Sequence, residues 1–195
     1  MKVGVLAIQG AVAEHVQALA KLDVETVLVR LPSDLERISA LVIPGGESTT
    51  INKLLSDYGL IEPLQKLIHE DLPVLGTCAG MVLLAKKVVD SEMKPLGVMD
   101  IDVKRNAFGR QVDSFETELS VPDLGDDVFK GVFIRAPIIQ KVEPNVEVLC
   151  MLGDDIVAAR QDKLVALAFH PELTDDLRFH SYFLGIVNGR DYCKK

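Results

Sequence analysis

The sequence contains few cysteines, and their spacing does not suggest a disulfide framework or a zinc site. Its 195 residues include three cysteines, Cys78, Cys150 and Cys193, with no Cys-x-x-Cys pair. An odd and sparse set of cysteines fits a reducing compartment, so we expect a cytoplasmic protein with no structural metal. We expect Cys150, which lies in an apolar run, to be a core residue. Cys193 lies in a polar tail, where we assign it no role.

Long basic runs and long apolar runs are also missing. The formal net charge is −8, and no basic run exceeds two residues. Binding to nucleic acid needs a basic face, so this composition argues against a nucleic-acid partner. The longest uncharged apolar stretch, residues 72–85, is shorter than the ~20 residues that span a bilayer. The apolar residues 3–8 are too short for a signal peptide, and we interpret them as a first strand.

Two common nucleotide-binding motifs are absent from the sequence. There is no G-x-x-x-x-G-K-[ST] segment, and no G-x-G-x-x-G opens the first helix. A different glycine loop, Pro44-Gly-Gly, follows the apolar residues 41–43, and residues 48–50 can cap the next helix. Backbone N–H groups in such a loop can hold a phosphate or an oxyanion. Taken alone, the loop is more typical of an ordinary glycine turn.

The first half of the chain alternates apolar runs with helical patterns. Strands are predicted at residues 3–8, 24–30, 41–43 and 73–75, each followed by helical spacing or a capping signal. One such signal is a capping box at residues 33–36, and another is Pro63 in a first helical turn. This alternation predicts an α/β fold with a mostly parallel sheet and helices on both faces.

The pattern changes in the second half. Beyond residue 98, short apolar runs separated by turn signals predict strands at residues 112–121, 132–134, 146–149, 156–159 and 164–169. These strands predict an antiparallel or mixed extension of the sheet. Thr174 is the predicted cap of a last helix that ends before Gly189. We find no repeat, low-complexity segment or linker, and we expect a single domain over residues 1–195.

The segment Gly76-Thr-Cys-Ala-Gly80 is the most informative in the chain. It follows a short apolar run and precedes a helical run that begins near Met81. This is the nucleophile elbow with cysteine in place of serine, whose tight turn needs glycines because side chains would clash. The turn projects the thiol near a helix N-terminus, where the helix dipole favours the thiolate. Free cysteines are often buried, so the elbow alone leaves a structural role open.

A candidate partner for Cys78 is the His170-Pro-Glu172 segment at the end of the last apolar run. In an extended chain, residues two apart point to the same side, so Glu172 could orient the His170 ring. The imidazole could then take the thiol proton and return it to a leaving amine. Pro171 leaves the local geometry open. Because sites in parallel sheets lie at the carboxyl ends of strands, we expect Gln9, the Gly46 loop and Cys78 to converge on one cleft.

Together these segments resemble the class I, triad-type glutamine amidotransferases. More narrowly, the chain resembles the glutaminase subunit of pyridoxal 5'-phosphate synthase. The narrower resemblance extends in family order from residue 1 to about residue 188. It rests on residues 9–15, 44–50, 105–115, 133–137 and 169–173. The resemblance implies a flavodoxin-like three-layer α/β fold, in agreement with the alternating pattern.

The resemblance also implies a chemistry, which is hydrolysis of L-glutamine to L-glutamate and ammonia without a cofactor or metal. Cys78 attacks the side-chain amide and forms a glutamyl thioester, His170 moves the proton, and Glu172 orients His170. The backbone N–H groups of Gly46 and Ala79 form the oxyanion hole. The implied glutamine-binding residues are Gly46, Glu47, Ser48, Arg105, Ile134 and Arg135.

The resemblance implies a partner as well. In this family, ammonia passes to a separate (β/α)₈ synthase subunit, which makes pyridoxal 5'-phosphate from a pentose phosphate and a triose phosphate. The candidate docking residues are Gln9, Gly10, Glu14 and His15.

Three alternatives remain open from the sequence. One is a glutaminase subunit of another pathway, such as histidine or purine synthesis, against which residues 105–115 argue. Another is a non-catalytic binding or stress protein of flavodoxin-like architecture, against which His170 and Glu172 argue. A general amidase or peptidase is the third.

Overall fold

The computed structural model describes residues 1–89, 91–107 and 114–190. Most of the 105–115 motif, namely residues 108–113, lies outside the described residues, as does Cys193. Within the described ranges the first half contains four strands, four α-helices and a 3₁₀ helix at Pro32–Arg37. Their bounds are β1 Lys2–Leu6, α1 Val12–Ala20, β2 Glu25–Val29, β3 Ala40–Ile43, α2 Ser48–Asp57, α3 Ile61–His69, β4 Val74–Thr77 and α4 Ala79–Leu84.

In the described part of the second half, strands dominate and one α-helix closes the fold. Short 3₁₀ helices lie at Pro122–Leu124 and Pro171–Leu173. The other elements are β5 Ala85–Val88, β6 Met99–Lys104, β7 Ser114–Leu119, β8 Phe129–Ile134, β9 Ile138–Val142, β10 Glu147–Leu152, β11 Asp155–Gln161, β12 Leu164–Leu167 and α5 Arg178–Val187.

One large mixed sheet organises the described residues. Its strand order is β2-β1-β3-β4-β12-β11-β9-β6-β5, with β10 added beside β11. The first five strands are mutually parallel, and their order is that of the flavodoxin-like folds. From β12 onward the pairings are antiparallel as far as β6, and β5 pairs in parallel with β6. The predicted parallel sheet with an antiparallel extension is therefore confirmed.

The core surrounds the parallel strands. Every residue of β3, β4 and β12 is buried, as expected for strands covered on both faces. Helix α1 packs against β1 and β2, while α4 packs against β3, β4 and β12 and also contacts α2. A cluster of phenylalanine rings joins β8 and the end of β12 to α5. This packing fixes the carboxyl ends of the parallel strands, where the candidate site residues lie.

The start of α2 differs from the prediction. Residues 48–50 were expected to cap this helix, but the cap is the preceding residue, Glu47. Its Oε1 accepts a hydrogen bond from the Thr49 N–H at 3.1 Å, and its Oε2 accepts one from the Thr50 N–H at 2.6 Å. The carboxylate satisfies the free N–H groups of the first turn better than the shorter Ser48 side chain, which is buried.

The capping box predicted at residues 33–36 is also wrong. Asp34, in the first turn of the 3₁₀ helix, stabilises its N-terminal end instead. Its Oδ2 accepts hydrogen bonds from the N–H groups of Arg30 and Leu31, each at 3.0 Å. Asp34 reaches back to residues that precede the helix, whereas Glu36 lies two residues further along the chain.

Two boundaries in the second half differ as well. The helical run after Cys78 ends at Leu84, and Ala85–Val88 forms a strand that pairs with β6. The last helix begins at Arg178 rather than beside Thr174, and Asp176 Oδ1 accepts the Arg178 N–H at 3.0 Å. No helix in the described ranges is both long enough and apolar enough to span a bilayer.

Candidate active site

Four strands of the parallel sheet end at one cleft. Gln9 and Gly10 follow β1, the Gly46 loop follows β3, Cys78 follows β4, and His170 follows β12. All of them line a cavity of about 370 Å³. The cleft lies at the carboxyl ends of β1 and β3, where the strand order reverses, and ligands of open α/β sheets bind at this position. The expected convergence of separate segments on one cleft is therefore present.

Cys78 occupies the turn between β4 and α4 in a strained conformation. Its φ of 49° and ψ of −100° are unusual for a residue with a side chain, and such strain is typical of a nucleophile elbow. Gly80 lets the turn close, because a side chain there would overlap the Ile43 carbonyl of β3. The Cys78 side chain is 7% exposed, and its thiol points at the Ile134 carbonyl, 3.8 Å away.

His170 is held between Cys78 and Glu172. The chain after it forms the 3₁₀ turn Pro171–Leu173 rather than the extended segment assumed from the sequence, yet His170 Nδ1 lies 2.7 Å from Glu172 Oε1. A carboxylate on Nδ1 places the neutral ring's proton there and leaves Nε2 able to accept one. Burial alone would lower the pKa of His170, but its contacts with Cys78 and Glu172 outweigh burial and raise the pKa to about 10.

Glu172 is a buried carboxylate that stays ionised. Burial alone would raise its pKa, but the neighbouring rings of His15 and His170 outweigh that effect and hold the pKa below the ordinary value. Its Oε1 contacts His170, and its Oε2 lies 3.3 Å from His15 Nε2. The site therefore contains a thiol, an imidazole and a carboxylate in the order that nucleophilic catalysis needs.

The loop after β3 is fixed on both sides of Gly46. The Gly45 N–H donates to Thr77 Oγ1 at 3.1 Å, and the Glu47 N–H donates to Gln9 Oε1 at 2.9 Å. Gly45 also lies against the His170 ring so closely that a Cβ atom at this position would overlap it. The loop is thus built around the imidazole, with the Gly46 peptide beside the cleft.

All six residues named as the glutamine-binding set line the same cavity. Arg105 extends to α2, where its Nη1 donates to Thr49 Oγ1 at 2.9 Å, and Arg135 is exposed with a φ of 42°. The two guanidinium groups suit a carboxylate, and Glu47 suits an ammonium group. The cavity is lined by Gly46, Glu47, Ser48, Arg105, Ile134 and Arg135. Three more lining residues, Asn106, Pro137 and Leu173, lie in the same sequence motifs but were not named as site residues.

The candidate docking residues divide into two groups. Gly10 is exposed, and Gln9 and Glu14 are partly exposed, whereas His15 has no exposed surface. In this structure His15 therefore offers no surface to a partner, because the first turn of α1 directs this side chain into the core. There its Nδ1 lies 3.1 Å from His180 Nε2, and its Nε2 lies 3.1 Å from Thr77 Oγ1.

Sequence reasoning missed Thr77 and His180. Thr77 stands beside Cys78, and only the structure reveals that its hydroxyl receives the Gly45 N–H. His180 lies on α5 among buried apolar neighbours. A histidine in such a setting must find a buried partner, and that requirement was the one signal available.

Two further observations concern residues other than the triad. Cys150 is buried, and burial raises the pKa of its thiol to about 11, so this cysteine behaves as a core residue. Residues 1–89, 91–107 and 114–190 contain no cluster of three or more His, Cys, Asp or Glu residues that could hold a metal ion.

The chain belongs to the SNO glutamine amidotransferase family, whose model matches residues 5–188. It is 58% identical to the pyridoxal 5'-phosphate synthase subunit PdxT of Carboxydothermus hydrogenoformans, over 94% of this chain and 96% of that protein. It is 60% identical to the PdxT subunit of Pelotomaculum thermopropionicum, over 94% of each chain.

Solved structures agree with this assignment. A crystal structure of a glutamine amidotransferase has a TM-score of 0.90 and 50% identity, and the alignment covers 95% of this chain and 98% of that one. PurLQS from Thermotoga maritima has a TM-score of 0.68 at 16% identity, over 97% of this chain and 98% of that one. At such low identity the second likeness shows a shared fold alone.

Proposed function

We propose that this protein is the glutaminase subunit of a pyridoxal 5'-phosphate synthase. It hydrolyses L-glutamine to L-glutamate and ammonia and supplies the ammonia to a synthase subunit that makes pyridoxal 5'-phosphate from a pentose phosphate and a triose phosphate. The observation that carries the proposal is the buried arrangement of Cys78, His170 and Glu172 at a strained elbow. Its family and its relatives named PdxT support the choice of reaction and pathway.

The first half of the reaction forms a thioester. His170 takes the proton of Cys78 before the attack, in agreement with the raised pKa of its ring. Cys78 Sγ then attacks the carbon of the glutamine side-chain amide, and the carbonyl oxygen becomes an oxyanion. The proposed oxyanion donors are the N–H groups of Gly46 and Ala79. One such donor typically stabilises the transition state by about 3 kcal/mol. The carbon–nitrogen bond then breaks as the His170 imidazolium gives its proton to the leaving nitrogen, and ammonia departs.

The second half regenerates the thiol. His170 takes a proton from water, and the resulting hydroxide attacks the glutamyl thioester carbon. The carbon–sulfur bond breaks, glutamate departs, and the proton on His170 returns to Sγ. Throughout, Glu172 fixes His170 through Nδ1 and stabilises the imidazolium, while remaining ionised itself.

Substrate recognition and docking are assigned to the rim of the same cleft. Arg105 and Arg135 are proposed to bind the glutamine carboxylate, and Glu47 its ammonium group, with Ser48 and Ile134 completing the site. The synthase subunit is proposed to dock at Gln9, Gly10 and Glu14, which lie where β1 leads into α1. Residues 1–195 are proposed to form one domain. The sparse cysteines support a cytoplasmic location.

The decisive experiment measures ammonia release from glutamine by the purified chain, alone and with a saturating pyridoxal 5'-phosphate synthase subunit. We expect hydrolysis with the synthase subunit and none with the Cys78→Ala variant. A glutamine-mimicking electrophile should alkylate Cys78 and spare Cys150, which peptide mapping can check. No hydrolysis in the presence of the partner would reject the proposal, and comparable turnover of peptide amides would favour a general amidase.

A further inference from the structure

A second row of buried polar groups lies behind the triad. Glu172 Oε2 is fully buried and has no well-aligned hydrogen bond in the structure. The neighbouring polar atom there is His15 Nε2, 3.3 Å away. Behind His15 stands His180, whose Nε2 lies 3.1 Å from His15 Nδ1. Neither histidine has any exposed surface, and the mechanism above uses neither of them.

The carboxylate decides which nitrogen of His15 carries the proton. A lone pair on Nε2 would face the anionic Glu172, so the proton belongs on Nε2, and Nδ1 must accept a hydrogen bond. His180 then donates through Nε2–H and keeps a lone pair on Nδ1. This agrees with the unpartnered, buried Nδ1 of His180, because a buried acceptor without a partner is tolerated better than a buried N–H without one.

Both rings are neutral in this arrangement. Burial lowers the pKa of His15 despite the nearby carboxylate, and burial lowers the pKa of His180 to about 3. A neutral N–H can hold a carboxylate without competing for its charge. The same Nε2 also lies 3.1 Å from Thr77 Oγ1, which receives the N–H of Gly45. His15 therefore contacts the triad directly, and Thr77 links it to the loop that carries the Gly46 peptide.

We infer that His15, with its tautomer fixed by His180, is a positioning residue of the triad. Its Nε2–H holds the free oxygen of Glu172 and the Thr77 hydroxyl, and so keeps His170 aligned with Cys78. This inference rests on the proposed glutaminase function. It gives His15 a place behind the catalytic carboxylate instead of on a docking surface.

The test compares substitutions that keep or remove the N–H at this position. In His15→Gln the amide nitrogen can occupy the place of Nε2, whereas in His15→Asn it reaches only the place of Nδ1. We expect His15→Asn to lower kcat by about tenfold to a hundredfold, the scale of a small misalignment of reacting groups, with KM for glutamine little changed. His15→Gln should retain most of the wild-type kcat.

All rates are measured with saturating synthase subunit, and thermal unfolding confirms that each variant is folded. His180→Phe removes the donor to His15 Nδ1 and should lower kcat in the same direction but by less. His69→Gln is the matched control: His69 lies on the exposed side of α3, where its ring contacts the Gln65 carbonyl, and its substitution should leave kcat unchanged.

Equal kcat values for His15→Gln and His15→Asn, whether high or low, would overturn the inference, as would a loss confined to KM. Failure of the wild-type protein to hydrolyse glutamine with its partner would instead reject the proposed function. If either variant does not fold, His180→Phe and His180→Gln replace the pair. In that case kcat unchanged by both substitutions overturns the role given to the two rings.

Discussion

At the scale of single residues, two buried cysteines with different surroundings illustrate how neighbours determine the chemistry of a thiol. Cys150 lies in the core, where burial raises its pKa to about 11 and nothing favours the thiolate. Cys78 is equally buried, yet it stands in a strained turn in contact with His170. Burial alone therefore does not separate a structural thiol from a nucleophile, whereas backbone strain and a basic neighbour do.

The pKa of the His170 ring tests whether the triad is assembled in the free protein. Contacts with Cys78 and Glu172 raise this pKa to about 10 from the ordinary 6.5. Each contact favours the protonated ring, so we expect the pKa to fall in Cys78→Ala and again in Glu172→Gln. Titration of the His170 ring resonances by NMR measures this pKa in the wild type and in the two variants. A ring that titrates near 6.5 in all three proteins would contradict the assembled triad.

Glu172 makes a prediction about stability and pH. Its pKa lies below the ordinary 4.5 in the folded protein. Its contribution to stability is therefore complete above about pH 4.5 and is lost as the pH falls through the lower, folded-state value. The difference in free energy of unfolding between wild type and Glu172→Gln should shrink as the pH drops below 4.5, as measured by denaturant titration. A difference that grows on acidification would contradict the predicted direction of the Glu172 pKa shift.

At the scale of elements, local patterns predicted most of the parallel sheet. Residues 41–43 and 73–75 were expected as strands because short apolar runs bounded by glycine and proline leave few alternatives, and both strands are present. The strand β5 was missed, because Ala85 continues the apolar helical run and the two lysines that follow it give no strand signal. Ala85–Val88 becomes a strand through its pairing with β6. Tertiary pairing overrode local propensity there.

Some residues of the candidate site could likewise be predicted from local sequence, and others could not. Cys78, His170 and Glu172 were predicted because the glycines of the elbow and the His-Pro-Glu segment are recognisable as local sequence motifs. Thr77 and His180 were missed because their roles depend on contacts between β4, α1 and α5, which no local pattern encodes.

The loop after β3 offers a test at the level of an element. In Gly45→Ala the new methyl group would overlap the His170 ring, so loop and ring must separate. We expect a loss of about a hundredfold in kcat and about 1–3 kcal/mol in stability. The comparison is Gly59→Ala, where the methyl group meets open space but a φ of 65° strains the backbone. That variant should lose stability and keep kcat, so equal kcat losses in the two variants would show that destabilisation alone explains Gly45→Ala.

At the scale of the whole molecule, a hydrogen bond joins the proposed docking segment to the loop of the active site. Gln9 belongs to the proposed docking segment, and its side chain accepts the Glu47 N–H on one side of the Gly46 peptide. A partner that moves Gln9 would therefore free this part of the loop to change its conformation. Control of this kind suits an enzyme whose product, ammonia, is wasted when no acceptor is bound.

We predict that the synthase subunit raises the glutaminase rate as well as receiving the ammonia. A glycine peptide can rotate at low cost, so docking can turn the Gly46 N–H into the oxyanion hole. Without that donor the free subunit should be slower by about a hundredfold or more. Steady-state kcat alone and with saturating synthase subunit decides this. The ratio of kcat with the synthase subunit to kcat without it should be smaller for Gln9→Ala than for the wild type. Equal kcat values for the wild-type protein with and without the subunit would reject activation by docking.

The position of β12 in the sheet has a consequence for biosynthesis. This strand comes late in the chain but lies between β4 and β11, and His170 and Glu172 directly follow it. A nascent chain can display the Cys78 elbow before its base and carboxylate have left the ribosome. Inserting a late strand into the middle of a sheet requires contacts between distant residues, which form slowly. We therefore expect the thiol to gain its proton acceptor late in folding, and a chain that ends before β12 lacks the residues proposed to activate Cys78.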